Sequence, residues 1–343
     1  MKIGLVGYQG SGKSSVFELL TGVKPDISKA HTGQVGMATL PDQRFDRLVQ
    51  LYKPKKISPA KITLFDTPGL SRDEQEGNAQ RMGVLRESDA LVQVIGVYRG
   101  ADPRAEASSF QDDLVLADLQ IMTNRLERLR ANILKPRPDR DELRAELSCL
   151  EPLAAILGEG KSLRGVEFTE PQREATRSFS LLTQKDLLMV LNTADAGYDE
   201  TVVAELEQQG YRVIPAPAGL ELEVQALAEA DRAEFAAEMG LGEPSRNRLL
   251  QAVFEVTDQI TFYTSDEKEV RAWLLKRGST ALEAAAAIHT DLARGFIRAE
   301  IMAVDDLLRL GSEREVKAAG LHHVVGKEHI IRDGDEIVVR FNV

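Results

Sequence analysis

Eight residues, Gly7-Tyr8-Gln9-Gly10-Ser11-Gly12-Lys13-Ser14, follow directly on the apolar run Ile3 to Val6 and fit the pattern G-x-x-x-x-G-K-[ST]. A strand, a glycine-rich loop and a helix in immediate succession constrain the fold strongly, because they set a helix N-terminus beside the carboxyl end of a strand, as in α/β proteins. The inward-turned N–H groups of such a loop and the dipole of the helix beginning near Lys13 form a cradle for phosphate. Gly7, Gly10, Ser11, Gly12 and Ser15 are candidate phosphate-binding residues. Lys13 is expected to bridge the β and γ phosphates, and Ser14 to place its hydroxyl on Mg²⁺, a cation that prefers oxygen ligands and keeps several waters.

A chain of 343 residues with 43% hydrophobic side chains supports two or three globular domains. The single cysteine, Cys149, excludes a disulfide framework and a cysteine-based zinc site. No apolar run approaches a membrane span and no leader is evident, so a cytoplasmic protein without a membrane partner is expected. A formal charge of -11 argues against indiscriminate nucleic-acid binding and leaves room for a local basic face.

Further motifs follow in chain order. Residues 23 to 35 lack hydrophobic periodicity and read as a mobile loop, in which Thr32 is a candidate sensor of the γ phosphate and Mg²⁺ and His31 a weaker one. Lys61 to Phe65 reads as a strand running into Asp66-Thr67-Pro68-Gly69. This is a D-x-x-G arrangement, in which Asp66 holds a Mg²⁺ water and the Gly69 amide reaches the γ phosphate. Residues 71 to 81 would move when that phosphate leaves. Asp89 to Val97 is a buried strand. Beyond it Val115, Leu119, Met122, Leu126, Leu129 and Ile133 step by four and three, Lys135-Pro136-Arg137-Pro138 breaks the run, and Leu143, Leu147, Leu150, Ala154 and Leu157 step likewise, predicting a helical hairpin. Its arginines, among them Arg125, Arg128, Arg130, Arg137 and Arg140, form either a docking face or a solvated face balanced by Glu127, Asp139, Asp141 and Glu142. Asp186 to Leu191 returns to strand and ends at Asn192-Thr193-Ala194-Asp195; Tyr211 to Ile214 precedes Ala218-Gly219. Two helices, Glu221 to Met239 and Ser245 to Val256, are expected next. From about Asp258 short alternating strands take over, with one helix, Ala281 to Ile288, among them.

Taken together, these features resemble the YchF/Obg-like ATPase family of translation-factor-class P-loop proteins over nearly the whole chain. The most specific matches are Pro41-Asp42-Gln43-Arg44 followed by Lys53-Pro54-Lys55-Lys56, and a C-terminal stretch similar to the family's TGS domain: Lys268 to Trp273, His289-Thr290-Asp291, Arg294 to Glu300 and the ending Arg340-Phe341-Asn342-Val343. The resemblance implies an α/β P-loop G-like domain over residues 1–100 and 183–257. It also implies a coiled-coil insertion over 101–182, a β-grasp TGS domain over 258–343, hydrolysis of ATP or GTP with Mg²⁺, and association with ribosomes or structured RNA. Several residues depart from the family pattern. Asp66-Thr67-Pro68-Gly69 replaces the usual Asp-Ile-Ala-Gly, the segment around Thr32 is short, and the loop after Val97 lacks a His that relatives often carry there. Leu70 follows the D-x-x-G where many GTPases place a water-orienting Gln, and slow intrinsic turnover is expected.

The leading expectation is therefore a slow nucleotide hydrolase used as a switch, with Lys13, Gly69 and Thr32 acting on the phosphate and Ser14, Thr32 and Asp66 on the metal. A P-loop phosphotransferase and an interaction module with a merely structural nucleotide are the alternatives. Asn192, Asp195 and Ala218 are placed at the base. GTPases of this class use N-K-x-D, and Thr193 here replaces the Lys whose stem packs along the base. Asp195 suits guanine, whereas relatives that prefer ATP carry Glu there. Both nucleotides are expected to bind with less than about hundredfold discrimination, leaning slightly to ATP.

Overall fold

The computed structural model describes residues 1–29, 32–71, 75–136 and 138–342. The expectations placed on His31, on residues 72–74 of the moving segment, on Arg137 and on Val343 lie outside them. The chain forms two compact units, residues 1–36 with 63–246 and residues 37–62 with 247–343.

Twelve strands are described: β1 Lys2–Val6, β2 Gln34–Thr39, β3 Lys56–Ser58, β4 Lys61–Asp66, β5 Ala90–Ile95, β6 Asp186–Asn192, β7 Arg212–Ala216, β8 Gln259–Ser265, β9 Glu269–Lys276, β10 Phe296–Ala303, β11 His323–Val325 and β12 Asp335–Phe341. The first sheet has the order β2-β4-β1-β5-β6-β7. β1 is parallel to both β4 and β5, and β5, β6 and β7 continue in parallel. β5 is buried at every position and β6 at all but its first residue. That is why both read as continuous apolar runs: a parallel strand covered on two faces has no polar side to present. The strand order reverses at β1, so the segments leaving the carboxyl ends of β1, β4, β5, β6 and β7 gather at the crevice where α/β sheets bind ligands.

The helical insertion grows out of this sheet. A 31-residue helix, Pro103–Ile133, starts on Asp102, whose carboxylate accepts from the Arg104 N–H, with Pro103 in the first turn. Its early residues Ala107, Phe110 and Leu114 pack in the sheet's core, and its later ones (Met122, Leu126, Leu129) pack with Leu150, Leu153 and Leu157 of the helix Arg140–Gly158. The chain re-enters the sheet at a buried anchor. Asp118 accepts from the Leu182 and Thr183 N–H groups and the Thr183 hydroxyl, and pairs with Arg86 at 2.7 Å. Unlike the helix expected from Glu221 to Met239, two helices form, Ala218–Ala226 and Glu229–Glu238. Leu227 between them is extended (ψ 162°), so the i→i−4 ladder ends there without a Gly or Pro to signal it.

In the second unit β8 and β9 pair antiparallel, β12 runs parallel to β8, and β10 is antiparallel to β12. With the helix Ala281–Ile288 packed through Ala281 and Ala284 on Ile260, Phe262, Ala299 and Ile337, this is the β-grasp arrangement. Residues 37–62, read from sequence as part of the nucleotide-binding domain, pack instead with this unit, and the N-terminal unit ends at 246 rather than 257. The reason is pairing: β3 lies parallel to β9 from Lys56↔Glu269 to Ser58↔Arg271. Asp42 caps the helix Gln43–Tyr52 and also accepts the Tyr263 hydroxyl, while Arg44 pairs with Asp333 at 2.8 Å. The Pro41-Asp42-Gln43-Arg44 motif is thus explained by packing within this unit.

Candidate functional site

The loop between β1 and the helix Lys13–Thr21 is shaped by glycine. Gly12 takes φ 88°, and a Cβ there would stand 2.0 Å from Asn192 Nδ2, so neither the conformation nor the space admits a side chain. Lys13 is 7% exposed, and its Nζ donates to the Tyr8 carbonyl at 2.9 Å. Burial pulls its pKa down to about 8, against the opposing pull of Asp66 and Glu106. The loop thus holds a desolvated cation poised for an anion.

β4 delivers the second half of the site. Ser14 Oγ donates to Asp66 Oδ2 at 2.7 Å, whereas Asp66 Oδ1 is buried and has no hydrogen-bond partner among the described residues. Burial raises the Asp66 pKa, and the Ser14 hydrogen bond and Lys13 oppose the rise. Gly69 packs so close that a Cβ would lie 2.9 Å from Lys13 Nζ and 3.0 Å from Gln9 Cα, which places its backbone directly beside the ammonium. Lys13, Ser14, Asp66, Gly69, Lys29 and Arg81 share the wall of one cavity of about 530 Å³. A desolvated ammonium and converging side-chain oxygens suit a polyphosphate with a hard cation, and the donor set and the unpartnered Oδ1 fit Mg²⁺.

Thr32, Asn192 and Asp195, expected at the phosphate and the base, have the following surroundings. Thr32 is exposed, its N–H donates to the Lys29 carbonyl, and it is not part of that wall; Pro25, Asp26, Lys29 and Gln34 take the loop's place there. The N–H groups of Thr32 and Gly33 both donate to the Lys29 carbonyl, at 3.1 and 2.8 Å. Asn192 acts as a bracket: its Nδ2 donates to the Ser11 carbonyl at 3.1 Å and its Oδ1 accepts the Ala218 N–H at 3.2 Å, tying the phosphate loop to the segment after β7. Asp195 is exposed, and its carboxylate accepts the Gly197 N–H at 2.9 Å. Thr193, in the place of the Lys, is 7% exposed and donates to the Asp195 carbonyl.

Sequence reasoning passed over Arg81, which lines the cavity and donates to Asn78 Oδ1 at 3.2 Å, and Tyr98 and Arg99, which touch Gly10. For the last two a signal existed, since they follow the carboxyl end of a parallel strand, where such sheets place ligand contacts.

A phosphate loop, a D-x-x-G segment and an Asn bracket on the carboxyl ends of a parallel sheet define a P-loop nucleotide-binding protein. A family model described as 50S ribosome-binding GTPase matches residues 2–125, and one for the YchF GTPase C-terminal domain, described as a protein of unknown function, matches residues 259–342. The chain is 32% identical to the ribosome-binding ATPase YchF of Haemophilus influenzae, with 100% of this chain and 99% of that protein covered. It is 31% identical to the protein of the same name from Bacillus subtilis, with 99% of each covered. The solved structure of the Schizosaccharomyces pombe YchF GTPase superposes with a TM-score of 0.83 at 25% identity, covering 99% of this chain and 97% of that one. The chain belongs to the YchF family.

Proposed function

We propose that this protein binds ATP and GTP at the β1 loop, hydrolyses them slowly to the diphosphate and phosphate, and uses the γ phosphate to govern association with the ribosome. The observation that carries this reading is the convergence of buried Lys13 with the Ser14–Asp66 pair on one cavity at the carboxyl ends of β1 and β4. Lys13 neutralises β- and γ-phosphate charge, and the loop N–H groups and the helix N-terminus orient the chain of phosphates. Ser14 and Asp66 are the residues that would hold Mg²⁺, which supplies charge neutralisation between the phosphates when bound. The Gly69 amide meets the γ phosphate. Thr32 joins the site only if its bond to the Lys29 carbonyl gives way. Slow turnover follows from Leu70, which is 2% exposed, with its N–H given to the Gly7 carbonyl, so that position cannot orient a water.

Ribosome association is supported by the names of the full-length relatives and by the family matched at residues 2–125. Within the insertion, Arg125 makes two bonds of 2.7 Å to Glu146 and Arg130 one of 2.8 Å to Glu151, so these two are tied to acidic partners other than those expected. Lys53, Lys55, Arg128 and Arg140 form no ion pair among the described residues and are the cations for RNA phosphate. Phosphate release from ATP and GTP, measured together with co-sedimentation on ribosomes at rising salt, tests the reading. Release without an acceptor, and association that depends on nucleotide and weakens with salt, are expected. No release in single-turnover assays, or no association in either nucleotide state at low salt, contradicts it.

A further inference from the structure

Arg99 ends the short turn Val97–Arg99 that leaves β5. Its Nη1 lies 3.4 Å from the Gly10 carbonyl oxygen and 1.8 Å from the place a Cβ on Gly10 would take, so the charge rests on the crest of the phosphate loop. The Tyr98 hydroxyl donates to the same carbonyl at 2.8 Å and pins the turn there. Arg99 is exposed and, among the described residues, pairs with no carboxylate. It lines a second cavity of about 530 Å³ together with Gln9, Gly10, Ser11 and Leu70. Gln9 and Gly10 also line the phosphate cavity, so the guanidinium sits beside the loop residues common to both. Two cations that line the phosphate cavity itself are engaged: Lys29 lies 3.7 Å from Asp26, and Arg81 is held by Asn78.

We propose that Arg99 is a catalytic arginine supplied in cis, donating to the γ phosphate and the β–γ bridging oxygen of the bound triphosphate. In the step it serves, the oxygen of water bonds the γ phosphorus as the bond from that phosphorus to the bridging oxygen breaks. The electron pair stays on the departing diphosphate, and the water's proton ends on the released phosphate. Charge thus grows on the bridging oxygen, and a planar guanidinium with parallel donors stabilises it. Leu70 offers no polar group at the position after the D-x-x-G, so Arg99 takes a larger share of the work. A purely structural role fits poorly, because a long hydrogen bond from an exposed side chain adds little to stability. The proposal rests on the phosphate-site reading above.

Single-turnover hydrolysis of ATP and GTP by Arg99→Ala and Arg99→Lys tests it, alongside diphosphate binding and capture of the diphosphate with aluminium fluoride, which mimics the transferring phosphoryl group. In Arg99→Ala the rate should fall at least about thirtyfold, with diphosphate affinity within about threefold and the fluoride complex lost; Arg99→Lys should recover part of the rate. A rate within about threefold of the intact protein overturns the proposal. So does diphosphate affinity falling in step with the rate, which would mark Arg99 as a support of the loop, or failure of the intact protein to form the fluoride complex. Lys13→Ala separates the two readings: if it binds and hydrolyses normally the phosphate site itself is misassigned, whereas loss in Lys13→Ala with an unaffected Arg99→Ala removes only Arg99.

Discussion

Each unit buries a charged group, and the two burials differ in what stands beside them. Lys13 is 7% exposed on the wall of a 530 Å³ cavity, next to Asp66 and with a backbone carbonyl as its only hydrogen-bond acceptor among the described residues. Glu336 on β12 is 0% exposed and accepts a hydrogen bond from Ser265, but its Oε2 has no partner among the described residues. Burial pushes its carboxyl from the usual 4.5 up to about 7, and Glu313 nearby adds to the shift. Desolvation destabilises the charged form in both places. Beside a cavity that cost is recovered when an anion arrives, whereas in a closed core it persists and makes folding depend on pH.

Removing the Lys13 ammonium has the greatest consequence. Lys13→Ala should weaken binding of both nucleotides by at least about 3 kcal/mol, more than hundredfold, because two charge-assisted phosphate contacts disappear. Isothermal titration reads it, and binding within tenfold of the intact protein would remove Lys13 from the phosphate site. The second effect concerns Glu336. With its pKa raised in the folded state, the folded chain holds more proton than the unfolded one between pH 4.5 and about 7, so stability falls as pH rises through that window and levels off above it. The fall attributable to this group is about 3 kcal/mol. Denaturant unfolding of Glu336→Gln against the intact protein should show a difference that grows with pH across the window. A difference independent of pH would mean that Glu336 is not the group responsible.

A second contrast lies inside the nucleotide site. Its phosphate end is interlocked through Lys13, Ser14, Asp66 and Gly69, whereas at its base end Asp195 is exposed and Thr193 replaces a lysine stem. Asn192 joins the two ends. Asn192→Ala leaves the buried Ala218 N–H and the Ser11 carbonyl without this partner and should cost about 1 to 2 kcal/mol of stability, with equal weakening of ATP and GTP binding. Weakening of one nucleotide alone would show Asn192 reading the base instead. The smallest expected effect is that of Thr193→Lys, which rebuilds the N-K-x-D pattern. It should shift the ratio of dissociation constants towards GTP by about tenfold, or 1.4 kcal/mol, and an unchanged ratio would place the base elsewhere.

The parts of this molecule legible in sequence are those set by local chemistry. The Gly7–Ser14 loop, the Asp66–Gly69 turn, the buried strands β5 and β6 and the hairpin's stepping leucines each carry their signal within a few residues, and the structure forms the strands and helices they predict. What was not legible depends on partners distant in the chain. β3 joins β9, Asp42 meets Tyr263, and Asp118 anchors the re-entry at Leu182 and Thr183; none of these pairings leaves a periodic trace. Thr32 is a candidate within a loop that lacks periodicity, and nothing in the sequence shows that its N–H donates to the Lys29 carbonyl. Arg99 escaped notice because a long side chain on a strand-end turn has no pattern of its own.

On the proposed reading, the phosphate end supplies the affinity while the base end selects weakly. Side-by-side titration of ATP and GTP into the intact protein with Mg²⁺ tests it most directly. A mismatch at one buried polar contact is worth about 1 to 3 kcal/mol, so the two dissociation constants should lie within about a hundredfold of each other. A thousandfold preference for either nucleotide would contradict the claim, and a strict GTP preference lost in Asp195→Ala would show that the exposed carboxylate reads guanine after all.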